Sequence, residues 1–514
     1  MEQQTAAIEI LGDSLTLEQV ERVAIDRVPV ALADSAAVKI AAARAVVDKT
    51  AESNMSTYGL NTGVGRFVDK RIAPGLTSEL QHRVLRSHAA GVGDPYPKSV
   101  IRAAHLLRIN TLALGYSGVR VELVQRMIDI LNAGIVPFVP ARGSVGASGD
   151  LAPLAHLCLP VIGEGRVWLD DELLPAAEAL GRCGIEPLEL SSKEGLSLIN
   201  GTQFMLAMGT IFGLRAQRLM KVADLVCALS VEALHGAQDS FLPQIHALRP
   251  FVGQRDSAHN MFRAMEKSSI LESHKYCDRV QDAYALRCAP QVHGASRDVL
   301  DYALGVMRIE TVSVTDNPIV FADEGLMRSN GNFHGQPVAI ALDMLAIADA
   351  EIANISERRI ERLVNPNLSG LPAFLVSDGG LNSGYMIAQY TAAALVSENK
   401  IYCHPASVDS IPTSAGQEDH VSMGNHAGLK LLRVLENAER VLAIELLCAA
   451  QGVDFLGPRK PGVGAGAAYA AVRARVPYLE TDRVLSDEIE TMAAIISSRE
   501  LLHELETAAG WELA

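Results

Sequence analysis

The stretch QPVAIALDMLAIADAEIANISERRIERLV, residues 336–364, carries apolar side chains at the spacing of an α-helix. Residues three or four positions apart lie on one helical face, so these side chains form a single stripe. The stripe consists of Val338, Ala341, Leu342, Leu345, Ala348, Ile352 and Ile355. Charged residues occupy positions 357–359 and 361 near its end. A stripe of this length predicts a helix that packs in the core of a helical bundle.

The same pattern recurs through most of the remaining chain, with frequent Ala, Leu, Met and Arg, which favour helices. The segments are residues 98–134, 203–236, 296–312, 383–401, 424–453 and 484–508. Candidate strands are short, and the best are residues 165–169 and 319–321, each beside a turn signal. The sequence therefore predicts an all-α fold, with a core of long helices and a few short peripheral strands.

The composition is that of a globular chain without interdomain linkers. Of its 514 residues, 49% are hydrophobic and 20% are charged, which provides apolar surface for a large core and for buried subunit contacts. No Ser/Pro/Gly-rich spacer, repeat or charge block interrupts the sequence. We therefore expect one continuous unit, with residues 1–200 as an N-terminal region and residues 201–514 as a central helix bundle with C-terminal helices.

The charge balance is acidic, with 45 basic and 60 acidic residues and a net charge of -15. Such a surface repels nucleic-acid phosphates and anionic membranes, so neither is an expected partner. The first residues show neither the basic nor the apolar region of a secretory signal, so we expect none, and no run of about 18 apolar residues offers a membrane span. The seven scattered cysteines form no CxxC pair, which favours reduced thiols in the cytoplasm and argues against a metal site.

Residues 143–154, GSVGASGDLAPL, contain a triplet that can form an electrophile. If the nitrogen of Gly149 attacks the carbonyl carbon of Ala147 and two water molecules leave, a methylidene-imidazolone ring results, with Ser148 reduced to an exposed alkene carbon. Glycine leaves the attacking nitrogen unhindered, and unmodified side chains are poor in electrophiles. The flanking glycines permit tight backbone geometry, and Asp150 indicates the start of a helix.

Other interpretations of the glycine-rich segments stay open on the residues alone. The triplet is also compatible with a flexible loop before a helix, or with the nucleophile elbow of an acyl hydrolase. That elbow, Gly-x-Ser-x-Gly, would need glycine where Asp150 stands. Residues 462–467, GVGAGA, match a dinucleotide-binding fingerprint, but no predicted strand precedes them. We therefore expect no nucleotide cofactor.

Seven further motifs occur in an order that resembles the histidine and aromatic amino acid ammonia-lyases and aminomutases. They are residues 58–63 (YGLNTG), 87–91 (SHAAG), 200–202 (NGT), 281–287 (QDAYALR), 316–318 (DNP), 331–334 (GNFH) and 417–420 (QEDH). With the loop above, the resemblance covers roughly residues 5–505. It implies that Ala147, Ser148 and Gly149 form 4-methylidene-imidazol-5-one (MIO), and that the protein is a carbon-nitrogen lyase and a homotetramer.

The resemblance also implies that the ring takes up the substrate amine and that Tyr58 removes the β-proton. An amine leaves poorly unless an electron sink accepts charge. An ordinary tyrosine, with a pKa of about 10, is ionised in only about one molecule per thousand at pH 7. The site must therefore supply positive charge or strong hydrogen-bond donors near Tyr58. On the loop alone, Tyr58 is also compatible with a tyrosine that only packs.

Arg287 suits a substrate carboxylate, because its planar guanidinium makes two parallel charged hydrogen bonds. Gln281 and Tyr284 precede it by six and three residues, close enough to face the same pocket. In the resembling family, these three residues come from a neighbouring chain. We expect Tyr284 to be catalytic and Gln281 and Arg287 to bind substrate; the alternative for Arg287 is a surface salt bridge.

Asn200 and Phe333 lie in two further motifs. The resemblance implies that Asn200 hydrogen-bonds the ring and the substrate, and that Phe333 packs against the electrophile and keeps water away. On the residues alone, a capping asparagine and a core phenylalanine are the alternatives. Both residues are therefore predicted to bind substrate because of the joint pattern.

His88 and Glu418 indicate the substrate. In the resembling lyases, the Ser-His-Ala-Ala-Gly and Glu-Asp-His forms go with histidine, whereas phenylalanine and tyrosine enzymes tend to have Asn-Gln-Asp at positions 417–419. A carboxylate accepts a hydrogen bond from imidazole, but facing a phenyl ring it would be unsatisfied, at a cost on the order of several kcal/mol. We expect deamination of L-histidine to trans-urocanate and ammonia, with His88 binding the substrate and Glu418 acting in catalysis.

Three departures from the family pattern keep other substrates open. Val64 replaces an aromatic residue, Gln336 replaces a glutamate common in histidine enzymes, and Gly416 replaces a larger residue. Gln336 also occurs in aminomutase-like relatives. The alternatives are therefore a tyrosine or phenylalanine ammonia-lyase or 2,3-aminomutase and, outside catalysis, a binding protein that keeps only the fold.

Overall fold

A computed structural model of the chain describes residues 6–52, 57, 59–63, 65–276 and 280–514. Two residues discussed above, Tyr58 and Val64, lie outside the described residues. Helices dominate the rest, and the predicted all-α fold is confirmed.

The α-helices include six of 17 residues or more among the described elements. The α-helices span Leu17–Ile25, Asp34–Glu52, Thr77–His88, Lys98–Ala113, Val121–Asn132, Leu151–Cys158, Ala176–Arg182, Glu194–Ile199, Gln203–Ala233, Pro243–Ala247, Val252–Ala264, Ser269–Ser273, Tyr284–Arg287, Ala289–Thr311, Gln336–Val364, Pro366–Ser369, Met386–Tyr402, Gly424–Asp454, Val463–Arg473, Ser486–Ser497 and Arg499–Ala509. Short 3₁₀ turns span Gly65–Phe67, Pro74–Leu76, Leu159–Ile162, Gln238–Phe241, Ala373–Leu375 and Ser414–Gly416.

The described strands pair into small sheets of two or three strands. They span Ile8–Ile10, Val30–Leu32, Val92–Pro95, Val136–Pro137, Pro140–Arg142, Arg166–Leu169, Glu172–Pro175, Ile319–Phe321 and Leu326–Arg328. Both predicted strands form antiparallel hairpins, Arg166–Leu169 with Glu172–Pro175 and Ile319–Phe321 with Leu326–Arg328. The described β structure is limited to strands of two to four residues, in line with the short candidate strands of the sequence.

The opening stretch folds as predicted. The helix Gln336–Val364 has the predicted bounds, and all seven residues of the apolar stripe are buried. The charged end of this helix is not wholly exposed to solvent. Arg359 is fully buried, and its Nε lies 2.5 Å from the Glu445 carboxylate. A buried charge needs such a partner, because removing one ion from water costs on the order of several kcal/mol.

Two predicted helices are each divided in two. The segment 98–134 breaks between Lys98–Ala113 and Val121–Asn132, where Gly115 and Gly118 adopt φ values of 79° and 68°. A Cβ at Gly118 would lie 2.3 Å from the Val47 side chain, so this turn depends on a close approach that apolar periodicity does not reveal. The segment 484–508 breaks at Ser498, which caps the second helix by accepting the Glu500 N–H.

The chain forms two compact units. The first comprises Met1–Ile211, Ala303–Asp343 and Pro405–Leu429, and the second comprises Phe212–Tyr302, Met344–His404 and Lys430–Ala514. Within the first unit, every residue from Val100 to Ala113 is buried. The regions 1–200 and 201–514 of the sequence analysis divide the chain by its functional motifs and not by compactness. That division stays a prediction.

Candidate active site

The electrophile loop, residues 143–150, is tightly folded in the first unit. Ser148 and Gly149 have φ values of 51° and 79°, and Gly143 and Gly146 also have positive φ. A Cβ at Gly149 would lie only 2.0 Å from the Gly201 carbonyl oxygen, so only glycine fits there. Ala147 and Gly149 are buried, whereas Ser148 is half-buried. The loop thus presents one serine from a rigid turn.

Backbone hydrogen bonds hold the loop against two other segments. The Gly201 N–H donates to the Ser148 carbonyl oxygen at 3.2 Å, and the Asp150 N–H donates to the Gly201 carbonyl oxygen at 2.7 Å. On the other side, the Met423 N–H donates to the Val145 carbonyl oxygen at 3.0 Å. These contacts bring the predicted motif at 200–202 directly against the triplet.

Asp150 does more than mark the start of the next helix. Its Oδ2 accepts the N–H groups of Phe204 at 2.9 Å and Met205 at 3.0 Å, in the first turn of the helix Gln203–Ala233. Burial raises the pKa of Asp150 to about 7, although the two N–H donors oppose that shift. Asp150 therefore joins the electrophile loop to a second helix, a role that sequence reasoning missed because its acceptor contacts are 54 and 55 residues away.

Asn200 lies beside the triplet and is only 2% exposed. Its Nδ2 donates to the Asn317 carbonyl oxygen at 3.0 Å. Within the described part of the chain, its buried Oδ1 has no hydrogen-bond partner. A buried amide oxygen without a partner is costly, so this atom is suited to accept a hydrogen bond from a bound group.

His88 is the last residue of the helix Thr77–His88. Its Nδ1 lies 2.8 Å from the Val84 carbonyl oxygen. A carbonyl oxygen only accepts, so Nδ1 carries the hydrogen and Nε2 of a neutral ring is an acceptor. Three residues later, the Gly91 Cα lies 3.1 Å from where a Cβ of Gly143 would be, which puts this motif against the electrophile loop.

Phe333 and Glu418 lie on two loops that contact each other. Phe333 is half-buried in a turn just before the helix Gln336–Val364, and the neighbouring His334 Nε2 lies 3.2 Å from the His420 carbonyl oxygen. The Glu418 carboxylate accepts a hydrogen bond from the Thr413 hydroxyl at 3.0 Å. The backbones of Thr413 and Glu418 also bond to each other in both directions, which fixes the loop that carries the carboxylate.

The residues on either side of Tyr58 also belong to the first unit. The Thr57 N–H donates to the Asn61 side chain at 2.8 Å, and a Cβ at Gly59 would lie 2.5 Å from Leu196. Further along, the Arg66 N–H donates to the Ser414 hydroxyl at 3.3 Å, four residues before Glu418. The described flanks of the predicted base loop thus contact the turn at Ser414 and the helix that leads to Asn200.

Gln281, Tyr284 and Arg287 lie in the second unit, on what we call the arginine segment, residues 281–287. Tyr284 is 70% exposed, and Gln281 is exposed as well. The Arg287 guanidinium carbon lies 4.5 Å from the centre of the Tyr284 ring, and Arg287 Nε donates to the Asp282 carbonyl oxygen at 2.9 Å. The Gln281 and Tyr284 side chains therefore reach solvent in the single chain.

Neither a metal cluster nor a membrane helix is found in the parts of the chain that the structure describes. Those parts hold no group of three or more His, Cys, Asp and Glu side chains arranged to bind a metal ion. Each of their helices is too short or too polar to span a bilayer.

Known proteins resemble the chain over almost its whole length. The aromatic amino acid lyase family model matches residues 15–474. Histidine ammonia-lyase of Gloeobacter violaceus is 54% identical over 500 residues, covering 97% of both chains. That of Myxococcus xanthus is 50% identical over 497 residues, covering 97% of this chain and 98% of the relative.

Solved structures of lyases and aminomutases are also similar to this chain over nearly its whole length. Histidine ammonia-lyase from Trypanosoma cruzi has a TM-score of 0.91 at 44% identity, covering 98% of this chain and 96% of that one. Tyrosine aminomutase from Streptomyces globisporus has a TM-score of 0.94 at 39% identity, covering 99% and 100%. The protein is a carbon-nitrogen lyase that belongs to the aromatic amino acid lyase family.

Proposed function

We propose that the protein deaminates L-histidine to trans-urocanate and ammonia. The observation that carries this proposal is the Glu418 carboxylate, which the Thr413 hydroxyl and the paired backbones of the two residues hold on a loop of the first unit. A carboxylate accepts an imidazole N–H, whereas a phenyl ring offers it no donor. The relatives named histidine ammonia-lyase, at 54% and 50% identity, support the same substrate.

The electrophile loop fits a methylidene-imidazolone formed from Ala147, Ser148 and Gly149. Position 149 accepts only glycine, whose nitrogen must attack the Ala147 carbonyl carbon, and half-buried Ser148 supplies the hydroxyl that leaves. When formed, this ring supplies the electrophilic carbon that takes up the substrate amine. The Ser148 carbonyl becomes part of the ring, and the Gly201 N–H that already donates to its oxygen is suited to stabilise negative charge there.

Residues of the first unit orient both the imidazole and the amine of the substrate. His88 Nε2 and the Glu418 carboxylate bind the imidazole, and Asn200 Oδ1 accepts a hydrogen bond from the substrate amine. Phe333 covers the site and keeps water out, which strengthens the polar contacts inside it. Tyr58 removes the β-proton, in the role that the family resemblance implies.

The arginine segment serves the site of a neighbouring chain in a homotetramer. Arg287 binds the substrate carboxylate with two parallel hydrogen bonds, Gln281 assists it, and Tyr284 acts beside the reacting carbons. The 70% exposure of Tyr284 supports this assignment. Further support is a groove of about 380 Å³, whose lining includes Val292, Met344 and Ile347, because exposed apolar grooves are typical of subunit interfaces. The cytoplasmic location stays a prediction.

A tyrosine aminomutase or lyase is the second candidate. It is favoured by the TM-score of 0.94 to tyrosine aminomutase and by Gln336, whose Nε2 donates to the Ser407 carbonyl oxygen at 3.1 Å. The purified enzyme should be assayed with L-histidine, L-tyrosine and L-phenylalanine side by side, by ultraviolet absorbance and by product analysis for β-amino acids. We expect turnover of L-histidine to urocanate; faster turnover of tyrosine or phenylalanine, or a β-amino acid product, would contradict the proposal.

A further inference from the structure

Arg108 is a charged side chain in the middle of the buried helix Lys98–Ala113. It is fully buried, and burial lowers its pKa while the Asp316 carboxylate opposes that shift. Removing a guanidinium from water is costly unless its hydrogen bonds are replaced. The groups that replace them are therefore informative about what Arg108 does.

Among the residues that the structure describes, the hydrogen-bond acceptors of the Arg108 guanidinium all lie in the short segment 197–203. Nη1 donates to the Asn200 carbonyl oxygen at 2.8 Å and to the Gln203 Oε1 at 3.1 Å. Nη2 donates to the Ser197 carbonyl oxygen. The planar fork of one arginine thus binds three acceptors, one on Asn200 itself and one on each side of it, which a single flexible ammonium would not do.

Gly201 completes the connection to the electrophile loop. A Cβ at Gly201 would lie 2.8 Å from Arg108 Nη1, so the guanidinium packs against this backbone. The Gly201 N–H donates to the Ser148 carbonyl oxygen, and its own carbonyl accepts the Asp150 N–H. A shift of the segment by even about 1 Å would misalign these groups, and such shifts cost catalysis heavily.

We propose that Arg108 is a positioning residue that holds Asn200 and Gly201 against the Ala147-Ser148-Gly149 triplet. This inference rests on the proposed function, because it takes the triplet to be the electrophile. It predicts that Arg108 governs both how completely the triplet cyclises and how fast the cyclised enzyme turns over, while the KM for the amino acid changes little.

The chain offers a matched control on the same helix. Arg102 is also buried, burial likewise lowers its pKa, and its guanidinium donates to the carbonyl oxygens of Leu131 at 3.2 Å and Val23 at 2.9 Å. Neither acceptor belongs to the candidate site. Arg102→Lys therefore imposes a similar loss of buried hydrogen bonds without moving Asn200 or Gly201.

The test compares Arg108→Lys with Arg102→Lys in the full-length enzyme. For each variant we would measure the thermal midpoint, the fraction of chains that lack two water molecules by intact mass, kcat and KM. Both variants should lower the thermal midpoint. Only Arg108→Lys should also lower the cyclised fraction at least about twofold or kcat, per cyclised chain, at least about tenfold, with KM within about threefold.

Equal cyclisation and equal kcat in the two variants would overturn the proposal and leave Arg108 a stabilising residue only. If Arg108→Lys does not fold, Gln203→Met decides, because it removes one Arg108 acceptor while keeping side-chain length and helix propensity. It should lower kcat about threefold or more, and no change would overturn the proposal. Failure of the proposed function is seen separately, as a wild-type enzyme whose mass retains both waters.

Discussion

The electrophile loop and the arginine segment differ in how the protein holds them. In the electrophile loop, Ala147, Gly149 and Asp150 are buried and Ser148 is half-buried, and backbone bonds from Gly201 and Met423 fix the loop inside the first unit. The arginine segment has Tyr284 at 70% exposure and a guanidinium bound to its own segment through Asp282. Under the proposed function this difference has a reason, because ring formation needs rigid local geometry, whereas side chains that would serve a neighbouring chain must stay accessible until assembly.

Removing the leaving hydroxyl of the electrophile loop should have the largest effect. Ser148→Ala has no hydroxyl to eliminate, so its intact mass should correspond to the unmodified sequence and activity should fall at least about a thousandfold. The matched control is Ser144→Ala, in a buried serine whose hydroxyl accepts the Gly146 N–H at 3.2 Å. That variant should still lose two waters, and full activity in Ser148→Ala would disprove the cyclisation.

Truncating the arginine segment should have the next largest effect. If Arg287 binds the substrate carboxylate as proposed, Arg287→Ala removes two charge-assisted hydrogen bonds, and kcat/KM should fall about a hundredfold, or roughly 2.7 kcal/mol. Mixing this variant with Tyr58→Phe under subunit exchange should restore activity, because some sites then receive both intact halves. Each variant mixed with itself is the control. Mixed oligomers without recovered activity would place both residues in sites built from one chain.

Glu418→Gln should have a smaller effect that is specific to the imidazole. The amide keeps the shape and loses the charged acceptor, so histidine turnover should fall at least about tenfold, or 1.4 kcal/mol. Asp419→Asn makes the same chemical change at the exposed neighbouring residue and should change turnover less than about twofold. Steady-state assays with L-histidine decide, and unchanged turnover in Glu418→Gln would refute the histidine assignment.

The sequence predicts those features of the fold and of the site that depend on residues close together in the chain. Long helices follow from apolar periodicity, which is local, and Gln336–Val364 matches its predicted bounds. The prediction of one helical segment over residues 98–134 was wrong, because the break after Ala113 depends on the close approach of Gly118 to Val47, some 70 residues earlier. Motif spacing predicts the residues of the loop at 143–150, since the cyclisation chemistry needs contiguous residue types.

The supporting contacts of the site are the part that the sequence does not predict. Arg108 bonds to Asn200 and Gln203, more than 90 residues later, and Asp150 bonds to Phe204 and Met205. One signal was present, namely that Arg108 stands directly between the apolar residues Leu107 and Ile109 in the helix Lys98–Ala113. A buried charge indicates a partner, but only the fold identifies it. The roles assigned to the site side chains stay predictions.

The smallest expected effect compares two buried carboxylates. Asp150 in the first unit accepts two backbone N–H groups, whereas neither oxygen of Asp349 in the second unit has a hydrogen-bond partner among the described residues. Burial, together with the nearby Glu439, raises the pKa of Asp349 well above its usual range. When folding raises the pKa of a carboxyl group, the free energy of unfolding falls as pH rises from the unfolded pKa to the folded one. In that range the unfolded state releases the proton more readily than the folded state does.

Asp349→Asn removes this ionisation and should therefore raise the thermal midpoint at pH 8 by roughly 1–2 °C, with a smaller or absent gain at pH 5. The control is Asp256→Asn, at a half-buried position of the helix Val252–Ala264 in the same unit, which should leave the midpoint equal to that of the wild-type protein at each pH. Scanning calorimetry of the three proteins at the two pH values makes the comparison. A gain at pH 5 as large as that at pH 8 would show that Asp349 acts through packing, since a neutral acid and an amide then differ for reasons other than charge.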